Sequence, residues 1–279
     1  MSQKRKGKPL TCIVKEARIT FTDTGKGYPN IVLLHGFLET KEVWNDWSQR
    51  IPSHYRIVTI DLPGHGATET IGYYHSMELM AEVVHGVLRH IGIRRYFMVG
   101  HSMGGYVCLA YANLFPERLK AIALIQSTAF ADTEERKKLR EKAIKLVKKN
   151  HLKYIEATLS ALFTTAFQRK HKTLVQKMVN SANTMSPQAI AACLHGLKDR
   201  PSAIAHLQQN PIPCLLLAGE IDKTVPLADL QNQHLQIPKS ELQVVPKAGH
   251  MAYLEVPELC FPPFIQFVKS HLNHTHEQR

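Results

Sequence analysis

The sequence predicts an α/β fold in which a mostly parallel, doubly wound sheet is interrupted by an inserted helical unit. Three observations carry this expectation. Short apolar runs bounded by Gly, Pro or Asp recur along the chain, helix-length stretches alternate with them, and no strand-like run occurs between about residues 130 and 207. With 279 residues, 44% of them hydrophobic, the chain is long enough for one domain to bury roughly three quarters of the surface its unfolded form exposes. Disorder as the main state is thereby excluded.

Taken in order, Ile13, Lys15, Ala17, Ile19 and Phe21 alternate with polar or small residues, and Asp23-Thr24-Gly25-Lys26-Gly27 follows as a turn. That pattern predicts one or two antiparallel edge strands. The apolar runs at 31–34, 57–60, 96–99, 121–125, 214–218 and 242–245 are too short for helices and read as buried parallel strands. Helices are expected over 77–90, 103–115, 227–235 and 257–272.

The strand-free stretch reads as several helices separated at Ser186-Pro187 and Arg200-Pro201. Its apolar residues Leu159, Leu162, Phe163, Phe167, Leu174, Met178, Ile190, Leu194 and Leu197 must pack on something. Because both flanks are strands of one sheet, the stretch is expected to be a helical cap over 130–207. It would divide the core into 1–129 and 208–279 and lie above the strand ends where open sheets hold ligands. Within it, a helix over 136–153 is expected to pack through Leu139, Ala143, Leu146 and Val147, with its lysines on the wet side.

The formal net charge of +12 raises the question of nucleic acid. Part of the excess, however, sits in Lys4-Arg5-Lys6-Gly7-Lys8, expected to be a frayed tail, and part on the solvated face of 136–153, so no nucleic-acid partner is expected. No apolar run approaches the ~18 residues of a membrane span. The opening MSQKRKGKPL is not followed by the apolar core of a leader, so the cytoplasm is the expected compartment and no membrane partner is expected. Cys12, Cys108, Cys193, Cys214 and Cys260 are odd in number and mostly set in apolar surroundings, as buried free thiols are. Without CxxC, HExxH or clustered histidines, neither a metal nor a cofactor is expected.

The chemistry concentrates in Tyr96-Phe97-Met98-Val99-Gly100-His101-Ser102-Met103-Gly104-Gly105, an apolar strand, then G-x-S-x-G, then a helix. A serine on so tight a turn needs small neighbours, which Gly100 and Gly104 supply, and the helix start aims free N–H groups at its oxygen. An oxyanion beside Ser102 needs two donors. The Met103 N–H is one; the other is expected from the Phe37 N–H, because His35-Gly36-Phe37 ends an earlier strand. The Phe37 side chain is expected to line the pocket. A serine also needs a base and a carboxylate to orient it. His250 follows the last strand, and both Glu220 and Asp222 follow the strand before it, each past a carboxyl end on one rim of the sheet. His35 and His101 sit on the turns themselves and read as scaffolding, while Asp61 and His65 read as struts of the Asp61-Leu62-Pro63-Gly64-His65-Gly66 turn.

Together LLHGF (33–37), DLPGHG (61–66), GHSMGG (100–105), GEID (219–222) and AGH (248–250) resemble the capped branch of the α/β-hydrolase superfamily in type, order and spacing. The resemblance implies the α/β-hydrolase fold. It also favours Asp222 over Glu220, for a triad Ser102, Asp222 and His250, and a serine nucleophile sets the chain apart from members that use aspartate. The implied activity is hydrolysis of a small carboxylic ester or lactone. One alternative is a cofactor-free carbon–carbon or carbon–oxygen lyase or synthase of the menaquinone-pathway type, whose carboxylate-bearing substrate Arg136 or Arg140 could clamp. The other is a binding protein whose triad no longer turns over, which predicts no labelling by a fluorophosphonate.

Overall fold

The computed structural model describes residues 7–272, and its frame is an eight-stranded sheet in the order β1-β2-β4-β3-β5-β6-β7-β8. β1 (Lys8–Val14) and β2 (Ala17–Asp23) form a hairpin turning at Lys15 and Glu16, both at positive φ, and β2 pairs antiparallel with β4 (Arg56–Ile60). All further pairings are parallel, through β3 (Asn30–Leu34), β5 (Tyr96–His101), β6 (Leu119–Ile125), β7 (Cys214–Gly219) and β8 (Ser240–Val245). β1 is thus the expected antiparallel edge strand, and the turn at 23–27 leads from the hairpin to β3. Lys8 opens β1, whereas Lys4, Arg5 and Lys6 lie outside the described residues. β8, read as buried, is the other edge and alternates between exposed and half-buried residues.

Successive residues of the central strands face opposite layers, as a two-residue period requires. Val32, Leu34, Met98, Leu124 and Leu216 pack with α2 (Met77–His90), α3 (Met103–Leu114) and α8 (Ile204–Gln209). Ile31, Leu33, Phe97, Val99, Leu215 and Leu217 pack with α1 (Asn45–Arg50), α10 (Ala252–Glu255) and α11 (Pro257–Ser270). At the β8 edge of the sheet, α9 (Leu227–Gln236) packs on β7 and β8 through Leu230. α2 has the predicted bounds because Ser76 caps it, its Oγ accepting from the Leu79 N–H at 3.0 Å. All five cysteines are buried free thiols. Among the described residues, no helix is long and apolar enough to cross a membrane, and no group of three or more His, Cys, Asp or Glu could hold a metal ion.

Between β6 and β7 the chain runs through α4 (Glu134–Leu162), α5 (Thr165–Lys170), α6 (Lys172–Ala182) and α7 (Pro187–Asp199) before α8. α4 bends at Asn150, whose backbone leaves the helix and whose Oδ1 accepts from Lys153 N at 3.0 Å, capping the second half. Ile144, Val147, Ile155, Leu159, Val179, Ile190 and Leu194 form a separate apolar core, which Leu38 joins from the loop after β3. The expected packing face of α4 is corrected in part, since Val147 is buried and Ala143 packs against this core as expected. Leu139 and Leu146 are 61% and 48% exposed, because seven residues apart they share the side of Lys142 and Lys149, while Ile144 and Val147 occupy the opposite side. Leu174 of α6 is also exposed.

The two ends of this excursion are clasped. Ala203 N donates to the Ala129 carbonyl at 2.8 Å, and Arg200 donates to the Phe130 and Leu197 carbonyls and to Asp132 Oδ1, the last at 2.7 Å. Asp132, fully buried, also accepts from Arg140 Nε, and the Arg200 guanidinium lies 3.9 Å above the Tyr106 ring. Burial pushes the Asp132 carboxyl up, but Arg140 and Arg200 outweigh it and hold the group below its ordinary range. Removing one partner of such a buried pair strands the other. Asp132→Ala should therefore lower the unfolding free energy by about 3–5 kcal/mol, measured by urea denaturation.

His75 joins this unit to the core: its Nε2 accepts from Ile71 N at 3.2 Å and its Nδ1 lies 3.3 Å from Cys193 Sγ of α7. Burial lowers its pKa from 6.5 to about 4. The unfolded chain therefore takes up this proton first, so the stability is present above pH 6.5 and lost as the pH falls towards 4. The loss from this one residue should be roughly 3 kcal/mol. His75→Gln should flatten the fall of Tm with acidification over that window, read by calorimetry.

Candidate active site

Ser102 sits between β5 and α3 with φ 47 and ψ −112, a conformation that costs a non-glycine residue about 1–3 kcal/mol. It is held from several sides. Its N–H donates to the Ile125 carbonyl at 3.0 Å, and its carbonyl accepts from Gly105 N, Tyr106 N and, at 2.8 Å, Ser127 Oγ. The turn is also possible only without side chains on its flanks. A Cβ on Gly100 would lie 2.2 Å from the Gly104 carbonyl, and one on Gly104 would lie 2.4 Å from the Leu34 carbonyl oxygen.

The loops after β7 and β8 bring two partners to this serine. His250 Nε2 lies 2.9 Å from Ser102 Oγ, and His250 Nδ1 lies 2.8 Å from Asp222 Oδ2. The remaining Asp222 oxygen accepts from Thr224 N at 2.7 Å and Val225 N at 3.0 Å, which fixes the carboxylate plane. A carboxylate at Nδ1 keeps the proton there, so Nε2 faces the serine hydroxyl as an acceptor. Asp222 and His250 are buried while Ser102 is half-buried. Glu220 is instead exposed, and its Oε2 accepts from Lys247 N at 2.7 Å, bracing the loop that leads to His250.

The loop after β3 is pinned at nearly every N–H. Gly36 N donates to Glu39 Oε2 at 2.6 Å, Leu38 N to His65 Nε2 at 3.3 Å, Glu39 N to the Gly36 carbonyl at 3.3 Å, and Lys41 N to Asp61 Oδ1 at 2.8 Å. Among the described residues, the Phe37 and Met103 N–H groups have no such acceptor, which suits a pair of donors aimed at a ligand oxygen. His35 and His65 act as cross-braces between this loop and the one after β4. His35 Nε2 accepts from Leu62 N at 3.0 Å while its Nδ1 donates to the Gly36 carbonyl, and His65 Nδ1 donates to the Pro63 carbonyl. Burial lowers the pKa of both, so both stay neutral. Asp61 also pairs with Lys41 Nζ at 2.6 Å.

Arg136 and Arg140 have internal acceptors. Arg136 donates to the Thr224 carbonyl, two residues from Asp222, and Arg140 donates to Asp132. Sequence reasoning missed Glu39, Ser127 and Tyr253. Glu39 carried the one available signal, a carboxylate two residues past Phe37. Burial pushes its carboxyl up, yet His101 and the Gly36 N–H hold it below its ordinary value.

Comparison with known proteins agrees with this architecture. The family described as alpha/beta hydrolase fold matches residues 29–257. A pimeloyl-(acyl-carrier protein) methyl ester esterase of Nitrosomonas europaea is 29% identical over 251 residues, covering 87% of this chain and 96% of its own. The 3-oxoadipate enol-lactonase 1 of Acinetobacter baylyi is 28% identical over 244 residues, covering 87% and 89%. The structure of a thermophilic esterase from Thermogutta terrifontis, with malate bound, superposes with a TM-score of 0.86 at 26% identity, covering 96% of this chain and all of that one. Because the atoms opposing a Gly104 Cβ are backbone atoms of Leu34 and His35, Gly104→Ala should lower the unfolding free energy by about 1–3 kcal/mol, read by chemical denaturation.

Proposed function

The chain belongs to the α/β hydrolase fold family, and from that premise we propose that it is a serine hydrolase of small carboxylic esters or lactones, acting through an acyl-enzyme. One observation carries the reading: a continuous hydrogen-bonded series from Asp222 through His250 to the Ser102 hydroxyl, ending beside two N–H groups without protein acceptors. The esterase and lactonase among its relatives support the substrate class.

In this mechanism His250 Nε2 takes the Ser102 proton as the oxygen attacks the substrate carbonyl, and Asp222 stabilises the resulting imidazolium and holds its tautomer. The Phe37 and Met103 N–H groups receive the oxyanion of the tetrahedral intermediate. His250 then returns the proton to the departing alkoxide, leaving the acyl group on Ser102. Water, deprotonated by the same imidazole, releases the acid. The helices between β6 and β7 act as the cap, and through Leu38 their core adjoins the Phe37 loop. The same triad acting on a carbon–carbon bond gains no support from Arg136 and Arg140, whose guanidinium groups are bonded internally.

Ser102→Ala should reduce kcat on p-nitrophenyl esters by on the order of 10⁴-fold or more while leaving Tm within a few degrees. Asp222→Asn should cost on the order of 10⁴-fold by presenting the wrong tautomer. A fluorophosphonate should label the wild type at Ser102 and not Ser102→Ala, and a panel of esters and lactones of increasing acyl length identifies the preferred class. A folded wild type that neither labels nor turns over any member of the panel rejects the reading.

A further inference from the structure

His101, the residue before the nucleophile, is buried with an acceptor at each end of its ring. Its Nδ1 lies 2.9 Å from Glu39 Oε1 and 3.1 Å from Oε2, and its Nε2 lies 3.0 Å from the His250 backbone carbonyl. A neutral imidazole has one N–H and one lone pair, so it can serve only one of these sites and would turn its lone pair on the other. His35 and His65 show the contrasting case, since each has an acceptor at Nδ1 and a backbone N–H donor at Nε2.

The surroundings are suited to a cation. Glu39 faces the ring from the loop after β3, the Tyr253 ring lies tilted against it at 4.5 Å from α10, and the His250 ring lies at 5.1 Å from the loop after β8. The Glu39 carboxylate is further fixed by Gly36 N at 2.6 Å and by the Tyr253 hydroxyl at 3.2 Å, and Gly36 immediately precedes Phe37. One ring thus connects the loop that presents an oxyanion donor with the backbone that carries the base.

We propose that His101 is an imidazolium donating from both nitrogens, and that the His101–Glu39 pair is a positioning device that sets the His250 backbone against the Phe37 loop. The kinetic consequence rests on the serine-hydrolase reading, whereas the protonation state does not. Nitrogen-15 spectroscopy of the histidine side chains in the full chain, assigned by through-bond correlation to the His101 backbone, should show both His101 nitrogens protonated at neutral pH. An imine-type nitrogen on His101 at neutral pH overturns the proposal, whatever the enzyme turns over.

Glu39→Gln retains an acceptor but removes the charge that balances the ring. It should lower kcat by about 10- to 100-fold with KM changed less than about threefold, as misplacement of a reacting group by an ångström does. The rate of fluorophosphonate labelling should fall in parallel. Wild-type kcat in a folded Glu39→Gln protein also overturns the positioning role. If Ser102→Ala keeps its activity, the hydrolase reading fails while the wild-type spectrum still decides the protonation state. That spectrum also serves if either variant fails to fold.

Discussion

The site depends on one backbone conformation, the left-handed turn at Ser102. Its φ of 47 is unfavourable in isolation, and it persists because β3, β5, β6 and α3 meet there at separations only glycine permits. The strain has a structural return. It lifts the hydroxyl out of the sheet, starts α3 directly behind it, and leaves the Met103 N–H pointing away from any protein acceptor. Parallel strands on both sides then deliver the other participants from loops at the same rim, so residues separated by more than a hundred positions meet without any of them sitting on a mobile arm.

Around that turn, polar groups are used as braces in a graded way. His35 and His65 are neutral cross-links between two loops, Asp61 and Lys41 form a buried ion pair, and Glu39 gathers an imidazole, a phenol and a backbone N–H. Each buried polar group is costly unless paired, and here the pairing holds the loops around the serine in a single arrangement. The Phe37 N–H, free among the described residues, is legible only after its neighbours at Gly36, Leu38 and Glu39 have been assigned.

Much of this was readable in the amino-acid sequence, for identifiable reasons. Strands and helices declared themselves because apolar periodicity and Gly, Pro and Ser boundaries are local signals. The Ser102 and His250 positions were suggested by each lying just past a strand end, whereas the choice of Asp222 over Glu220, which follows the same strand, rested on the resemblance to α/β hydrolases. What stayed hidden depended on distant partners: Glu39 meets His101 and Tyr253 across 62 and 214 positions, and nothing near Glu39 announces either. The packed face of α4 was only half read, with Ala143 and Val147 placed inward as found but Leu139 and Leu146 wrongly added, because these leucines repeat with helical spacing too. Only the neighbouring α6 and α7 decide which side is inward.

The junction between sheet and helical excursion has an evolutionary consequence. Since the Ala129 carbonyl and the Ala203 N–H are bonded neighbours, the sheet registers everything between them as a short bridge, however many residues that bridge carries. Sequence change inside the bridge can therefore accumulate without disturbing the strand ends. On the proposed reading, in which the bridge roofs the serine, new specificities arise on this scaffold by exchanging that roof over an unaltered floor.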